Sequence, residues 1–326
     1  MMNKIFGLAL YALLFAHSFP AAAQQPQRVP RIGFLEPSGS ATASPRLQSF
    51  RQGLHELGYV EGKTIAIEYR SAEGKPDQLA ELAAELVRLK VDIIFALGSP
   101  AIAAAKNATQ TIPVVMSGGD PIRSGLVASL ARPGGNITGL SNFSPDLAGK
   151  RLELLKEAVP SITRVAVIWN QADQTMGVEF GETLLGAEGL GVQLQSLAVR
   201  EQSDLERAYE AAANGGADAI VVIADQFITG NRPQLVALSA QSRLPTISGD
   251  RDFPRAGGLM AYGPNMRELY SHAAYYVDKI LKGAKPGDLP VERPMTFDFV
   301  VNLKTARELG ITIPPEIMLQ VTEVIQ

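Results

Sequence analysis

Several polar residues stand where an apolar run stops, and these are the first candidates for chemistry. Ser99, followed by Pro100, comes just after the run "IIFAL". Ser117 and Gly118 come directly after "IPVVM" and open the stretch "SGGDPIRSG", residues 117–125. Asn170 closes "RVAVIWN", and Asp225 closes "ADAIVVIAD". A serine hydroxyl backed by the unpaired N–H groups of a helix start receives a carboxylate well. Asn170 offers both donors and acceptors. Asp225 either neutralises an ammonium group or caps the loop before Asn231. Trp169, the one tryptophan, and Tyr262 either pack or wall a ligand. Ser38, in the polar loop after the first apolar run, completes the set.

Other chemistries lack their residues. "SGGDPIRSG" has no Lys-Ser/Thr pair after a Gly-x4-Gly, so it is not a P-loop. It has neither the spacing nor the partner acid of a dinucleotide fingerprint. It reads as a tight strand-to-helix turn, either purely structural or doubling as a cleft wall. Asp120 precedes Pro121 as a helix cap would, and its own charge repels an anion. The three histidines, His17, His55 and His272, fall in no metal or nucleophile motif. The absence of cysteine excludes disulfides, thiolate catalysis, Cys-type zinc sites and a lipid-modified cysteine. No cofactor, metal or catalytic residue is expected, and with 30 basic against 33 acidic residues nothing points to nucleic acid.

The first 23 residues read as a secretory signal: Lys4, an apolar run from Ile5 to Phe15, then Ala21-Ala22-Ala23. His17, Ser18 and Pro20 interrupt the run short of the about 20 apolar residues a membrane span needs. Lys4 is the only charge removed with this leader, so the mature chain is expected to carry a net −4. It is expected to be periplasmic, monomeric and not membrane-spanning.

Two stretches position the polar residues, and they read alike. "RIGFLE", the helical "SPRLQSFRQGLHELG", "KTIAIEYR", "PDQLAELAAELVRL" and "VDIIFALG" form strand–helix–strand–helix–strand. "RVAVIWN" through "ADAIVVIAD" repeats that order, with Ser203 and Glu206 spaced as a capping box. The Val/Ile/Leu-rich strands fit parallel sheets covered on both faces. Two α/β lobes are expected, with a junction near a helix beginning at Ser144-Pro145. The C-terminal pieces "GGLMAYG", "MRELYSHAAYYVDKILKG" and "DLPVERPMTFDFVVN" are expected to return to the first lobe and recross. The expected boundaries are 30–141 with 263–285, and 142–262 with 286–326. The tyrosines of "YSHAAYY" read as packing.

Four ordered stretches, "GDPIRSGLVASLARPGGNITGLS", "LAGKRLELLKEAVPSITRVAVIWN", "RAGGLMAYGPN" and "LPVERPMTFDFVVNLKTARELGITIPPEIM", resemble the substrate-binding proteins of ABC importers of the tryptophan/tyrosine type. The resemblance implies two Rossmann-like lobes of type I periplasmic-binding architecture, joined by three hinge crossings around a small ligand. It implies an amino-acid-like, often aromatic ligand, and a membrane permease with a cytoplasmic ATPase as partners. A periplasmic sensor of the same fold feeding a membrane receptor is the alternative. After the first strand, family members often carry an "HPALD"-like stretch, whereas this chain has "EPSGSATASP". Its Ser38 and Ser40 suit a more hydrophilic ligand.

Overall fold

The computed structural model describes residues 28–37, 39, 44–142 and 146–326. Ser38, Ser40, the leader 1–23 and Ser144-Pro145 lie outside the described residues.

The first lobe runs β1 (Arg31–Glu36), α1 (Pro45–Glu56), β2 (Ala66–Ser71), α2 (Leu79–Arg88), β3 (Ile93–Leu97), α3 (Gly98–Ala108), β4 (Val114–Gly118) and β5 (Ile137–Ser141). Its sheet is wholly parallel in the order β2-β1-β3-β4-β5. Strands β3, β4 and β5 are buried at every position because helices cover both faces.

The second lobe continues α4 (Asp146–Ala158), β6 (Arg164–Asn170), α5 (Gln174–Leu190), β7 (Gln193–Val199), α6 (Ser203–Asn214), β8 (Ala219–Val222), α7 (Gln226–Gly230), α8 (Arg232–Ser242), β9 (Thr246–Ser248), α9 (Asp252–Arg255) and β10 (Met260–Pro264). The long helix α10 (Met266–Leu281) follows, then β11 (Phe297–Asn302), α11 (Leu303–Leu309), α12 (Pro315–Met318) and β12 (Glu323–Ile325). The second sheet has the order β12-β11-β10-β9-β8-β6-β7, and β11 lies antiparallel to β10. Its β7-β6-β8-β9-β10 portion repeats the arrangement of the first sheet, so the sequence repeat is a structural one.

Helix α10 belongs to the first lobe although β10, just before it, lies in the second sheet. Leu269, Tyr270, Ala273, Ala274 and Val277 pack with Leu47, Phe50 and Leu54 of α1. Gly53 permits that approach, since a Cβ there would lie 2.2 Å from the Ser271 carbonyl. Residues 289–292 stay with β5: Thr138 donates to the Leu289 carbonyl, and Glu292 exchanges backbone hydrogen bonds with Gly139 and Ser141. The chain therefore passes between lobes after β5, at 264–266 and at 293–296. The last two crossings come later than the expected 263 and 286, because β10 and the 289–292 segment each complete a ladder first.

Two local expectations need correction. Residues 121–125 form turns, not a helix. Asp120 accepts from the N–H groups of Ile122 and Arg123, and Gly125 ends the segment at φ 63°. The Ser203–Glu206 capping box does not form either. Helix α6 starts after Gln202 without a side-chain cap, while Asp204 accepts the N–H groups of Arg200 and Glu201.

Candidate functional site

Parallel strands deliver their carboxyl ends to one edge, where loops and helix starts gather. In this chain those edges of the two lobes face each other and touch. A Cβ on Gly119, after β4, would lie 2.8 Å from Thr175 Oγ1 at the start of α5. A Cβ on Gly98, after β3, would lie 2.9 Å from Cγ of Gln226 at the start of α7. Arg46 Nη2, in the first turn of α1, stands 3.4 Å from Thr229 Oγ1. The cleft is closed around these points.

Asp225 and Asn170 come together as a pair. Asn170 Nδ2 donates to Asp225 Oδ2 at 2.6 Å, and its Oδ1 accepts from the Ala172 N–H at 2.9 Å. Asp225 Oδ1 accepts from the Ile228 N–H at 2.7 Å and so caps α7. Of the two readings of Asp225 the structure displays the cap, with the second oxygen bonded to Asn170. Burial pushes its carboxyl up to about 6, and the two donors only partly offset that.

On the opposite lobe, Ser117 is 2% exposed, and its Oγ has no hydrogen-bond partner among the described residues. A buried hydroxyl left unmade costs about 1–3 kcal/mol. Gly118 follows it with no room for a side chain, as a Cβ would meet Ile102 Cδ1 at 2.4 Å. Ser99 lies inside α3 rather than capping it. The helix begins at Gly98, whose φ of 77° turns the chain out of β3, and Leu97 takes the cap position. Ser99 still stands in the first turn beside Gly118, where a Cβ would lie 3.6 Å from the Ser99 nitrogen.

The two candidate aromatic walls both pack within the second lobe. Trp169 stacks on Phe180 of α5 at 5.5 Å and 12°, and its Nε1 donates to Ser196 Oγ on β7 at 3.0 Å. This is packing within the second lobe. Tyr262 stacks on Phe297 at 6.3 Å and meets Phe299 edge-on at 5.9 Å, bracing β10 against β11.

Sequence reasoning missed a buried polar cluster at the same edges. Glu36, which closes β1, is fully buried between Arg46 Nη1, at 2.8 Å, and the Tyr69 hydroxyl. Tyr270 of α10 stands against both Arg46 and Gln226. Burial, and next its bond to Glu36, push the Tyr69 phenol well up. In the second lobe Arg151 is buried with Glu179 and donates Nε to the Tyr262 carbonyl at 2.8 Å. Glu36 carried the signal that singled out Asp225, an acid closing an apolar strand. Arg46 and Gln226 carried none, because their partners lie far along the chain. Among the described residues no group of His, Cys, Asp or Glu is arranged to hold a metal ion, and no helix is long and apolar enough to cross a membrane.

Comparison with known proteins agrees with this architecture, which is that of type I periplasmic-binding proteins. A family model described as ABC transporter substrate binding protein matches residues 40–325. A curated tyrosine-binding protein of Clostridioides difficile is 27% identical over 263 residues, covering 80% of this chain and 75% of that protein. The structure of an ABC domain in complex with L-Trp from Streptococcus pneumonia is 28% identical, with a TM-score of 0.85 over 91% of this chain and 99% of that one. A ligand-free, open substrate-binding protein with adhesive properties from Clostridium difficile is 25% identical. It covers 91% of this chain and 100% of its own, with a TM-score of 0.69. At similar identity, the lobes here match the ligand-bound relative better than the open one.

Proposed function

Since the chain belongs to the ABC transporter substrate-binding protein family, we propose that it encloses an amino-acid-like ligand, aromatic by preference, between its lobes and delivers it to a membrane permease. The permease would be driven by a cytoplasmic ATPase. The leader 1–23 would place the protein in the periplasm, where it would work as a monomer.

The observation that carries this reading is the Asp225–Asn170 pair, a buried acid at a strand end of one lobe, on the edge that touches the other lobe. Asp225 takes the ligand ammonium, with Asn170 holding its second oxygen in place. Ser117, Ser99 and the Gly118 backbone receive the carboxylate, with Ser38 as a further polar contact from the loop after β1. The names of the similar proteins, a tyrosine binder and an L-Trp complex, favour an aromatic side chain on that ligand. Contacts to both lobes favour the closed state, which is how a ligand drives hinge closure.

Calorimetry with L-tryptophan, L-tyrosine and indole-3-propionate tests it. The two amino acids should bind and the desamino analogue should not. Asp225→Asn should weaken amino-acid binding by about 2 kcal/mol or more. Equal binding of tryptophan and its desamino analogue would remove Asp225 from the ammonium role. Absence of binding to every amino acid in a full panel would overturn the ligand class.

A further inference from the structure

We propose that Glu36, Arg46 and Tyr270 of the first lobe, with Gln226 and Thr229 of the second, form a clasp that holds the lobes together through protein-to-protein contacts alone. The proposal rests on the closure reading above and adds to it. The clasp populates a closed form before any ligand enters, and so sets part of the affinity.

Arg46 is aimed before the lobes meet. Pro45 and the Ser44 cap fix the start of α1, with the Ser44 hydroxyl accepting from the Leu47 N–H. Glu36 holds one guanidinium nitrogen at 2.8 Å, and Tyr69 holds the far oxygen of Glu36. Glu36, Ser44, Pro45, Arg46 and Tyr69 all belong to the first lobe, so the arm is preorganised and little side-chain freedom is lost when it engages. Because Glu36 balances the guanidinium, the arm does not compete with the ligand carboxylate.

The second lobe offers a matched seat on α7. Thr229 Oγ1 donates to the Asp225 carbonyl at 2.8 Å, which leaves its lone pairs to accept from Arg46 Nη2. One turn earlier on the same short helix, Gln226 stands against Tyr270, and a Cβ on Gly98 would lie 2.9 Å from its Cγ. Residues 226 and 229 therefore engage the first lobe from the helix that Asp225 caps. The clasp and the ammonium-binding acid share one rigid turn, so seating the one positions the other.

A contact made only when closed raises the closed population with or without ligand. If the open form dominates, losing that contact raises the apparent Kd by the same factor. The chain has no cysteine, so spin labels at Gln52→Cys and Ala237→Cys, exposed positions on α1 and α8, report the distance between lobes directly. Ligand-free protein should show a short-distance population. Thr229→Val, which leaves the buried Glu36–Arg46 pair intact, should deplete it and raise the Kd for L-tryptophan about fivefold. Gln226→Ala should do the same, and L-tryptophan should restore the short distance in both. Arg46→Lys should retain more of that population than Arg46→Gln.

A ligand-free protein with only the long distance would overturn the clasp. So would Thr229→Val and Gln226→Ala proteins with unchanged distances and affinity, while tryptophan binding itself survived. Conversely, distances that respond to these variants in a protein that ignores every amino acid would leave the clasp standing and remove the ligand assignment.

Discussion

In the site proposed above Asp225 carries the ammonium, and its surroundings would make that contact sensitive to pH. Burial raises its carboxyl to about 6, above the ordinary value of 3.8. For folding, an acid with a raised folded pKa binds protons more tightly in the native state. Its penalty is absent below about 4, grows as pH rises, and is complete above about 6. Chemical denaturation of ligand-free protein should therefore show a component of stability lost between those limits, and Asp225→Asn should abolish that component. For binding the sign reverses. An ammonium needs the ionised acid, so affinity for L-tryptophan should be highest above pH 7 and fall by up to about tenfold per unit below pH 6. A flat binding profile from pH 5 to 8 would argue that the ammonium lies elsewhere. Ser117 is the complementary case. Its hydroxyl is buried without a partner among the described residues, so Ser117→Ala should leave the melting temperature unchanged or raise it. The same change should weaken a carboxylate ligand by about 1–3 kcal/mol, measured by calorimetry.

Elements translate these side chains into a cleft, and the tightest fit lies between the β4 end and the α5 start. Gly119 is conformationally ordinary, so alanine there strains no backbone; its Cβ would instead press on the stiff Thr175, whose Oγ1 accompanies the Asp173 cap. Gly119→Ala should therefore spare each lobe and penalise only their approach. We expect a melting temperature for ligand-free protein near wild type and an affinity for L-tryptophan reduced about tenfold or more, since overpacking costs about 1–3 kcal/mol. This same scale shows what the sequence could reveal. The buried parallel strands were readable because cover on both faces demands unbroken Val/Ile/Leu runs, and their doubled order foretold two alike sheets. Polar residues ending those runs, such as Asn170 and Asp225, were readable for the same reason. Asp120-Pro121 looked like a helix start because its cap is real, but Ser124 and Gly125 close a turn before a second one can form. The Ser203 box failed because Gln202, already helical, takes the cap position, and the Ser203 hydroxyl donates to Glu201 instead. Arg46 was invisible because the residue it reaches lies 183 positions away, and no local pattern encodes such a meeting.

At the scale of the whole molecule, the crossings lie beside β5, the edge strand of the first sheet, and the β10–β11 pair inside the second. Arg251 ties the latter down, pairing with Asp298 on β11 at 2.7 Å and with Glu323 on β12 at 3.1 Å. The second lobe thus presents a stiff rim to the crossing segments at 264–266 and 293–296. If rotation about those segments admits and releases the ligand, a covalent bond between the lobes where their edges touch should stop both. Gly119 and Thr175 offer the position: a Cβ on Gly119 would lie 3.1 Å from the Thr175 Cβ. Disulfides span about 3.5–4.5 Å between those atoms, so the rims need to part by only a fraction of an ångström. With no native cysteine to compete, Gly119→Cys with Thr175→Cys should oxidise cleanly. Oxidised after loading with radiolabelled L-tryptophan, the variant should retain the label through dilution and release it on reduction. Oxidised before loading, it should exclude the ligand until reduced. Exchange at the same rate in both redox states would mean that the ligand enters without any separation of the lobes, and the hinge would then have no part in binding.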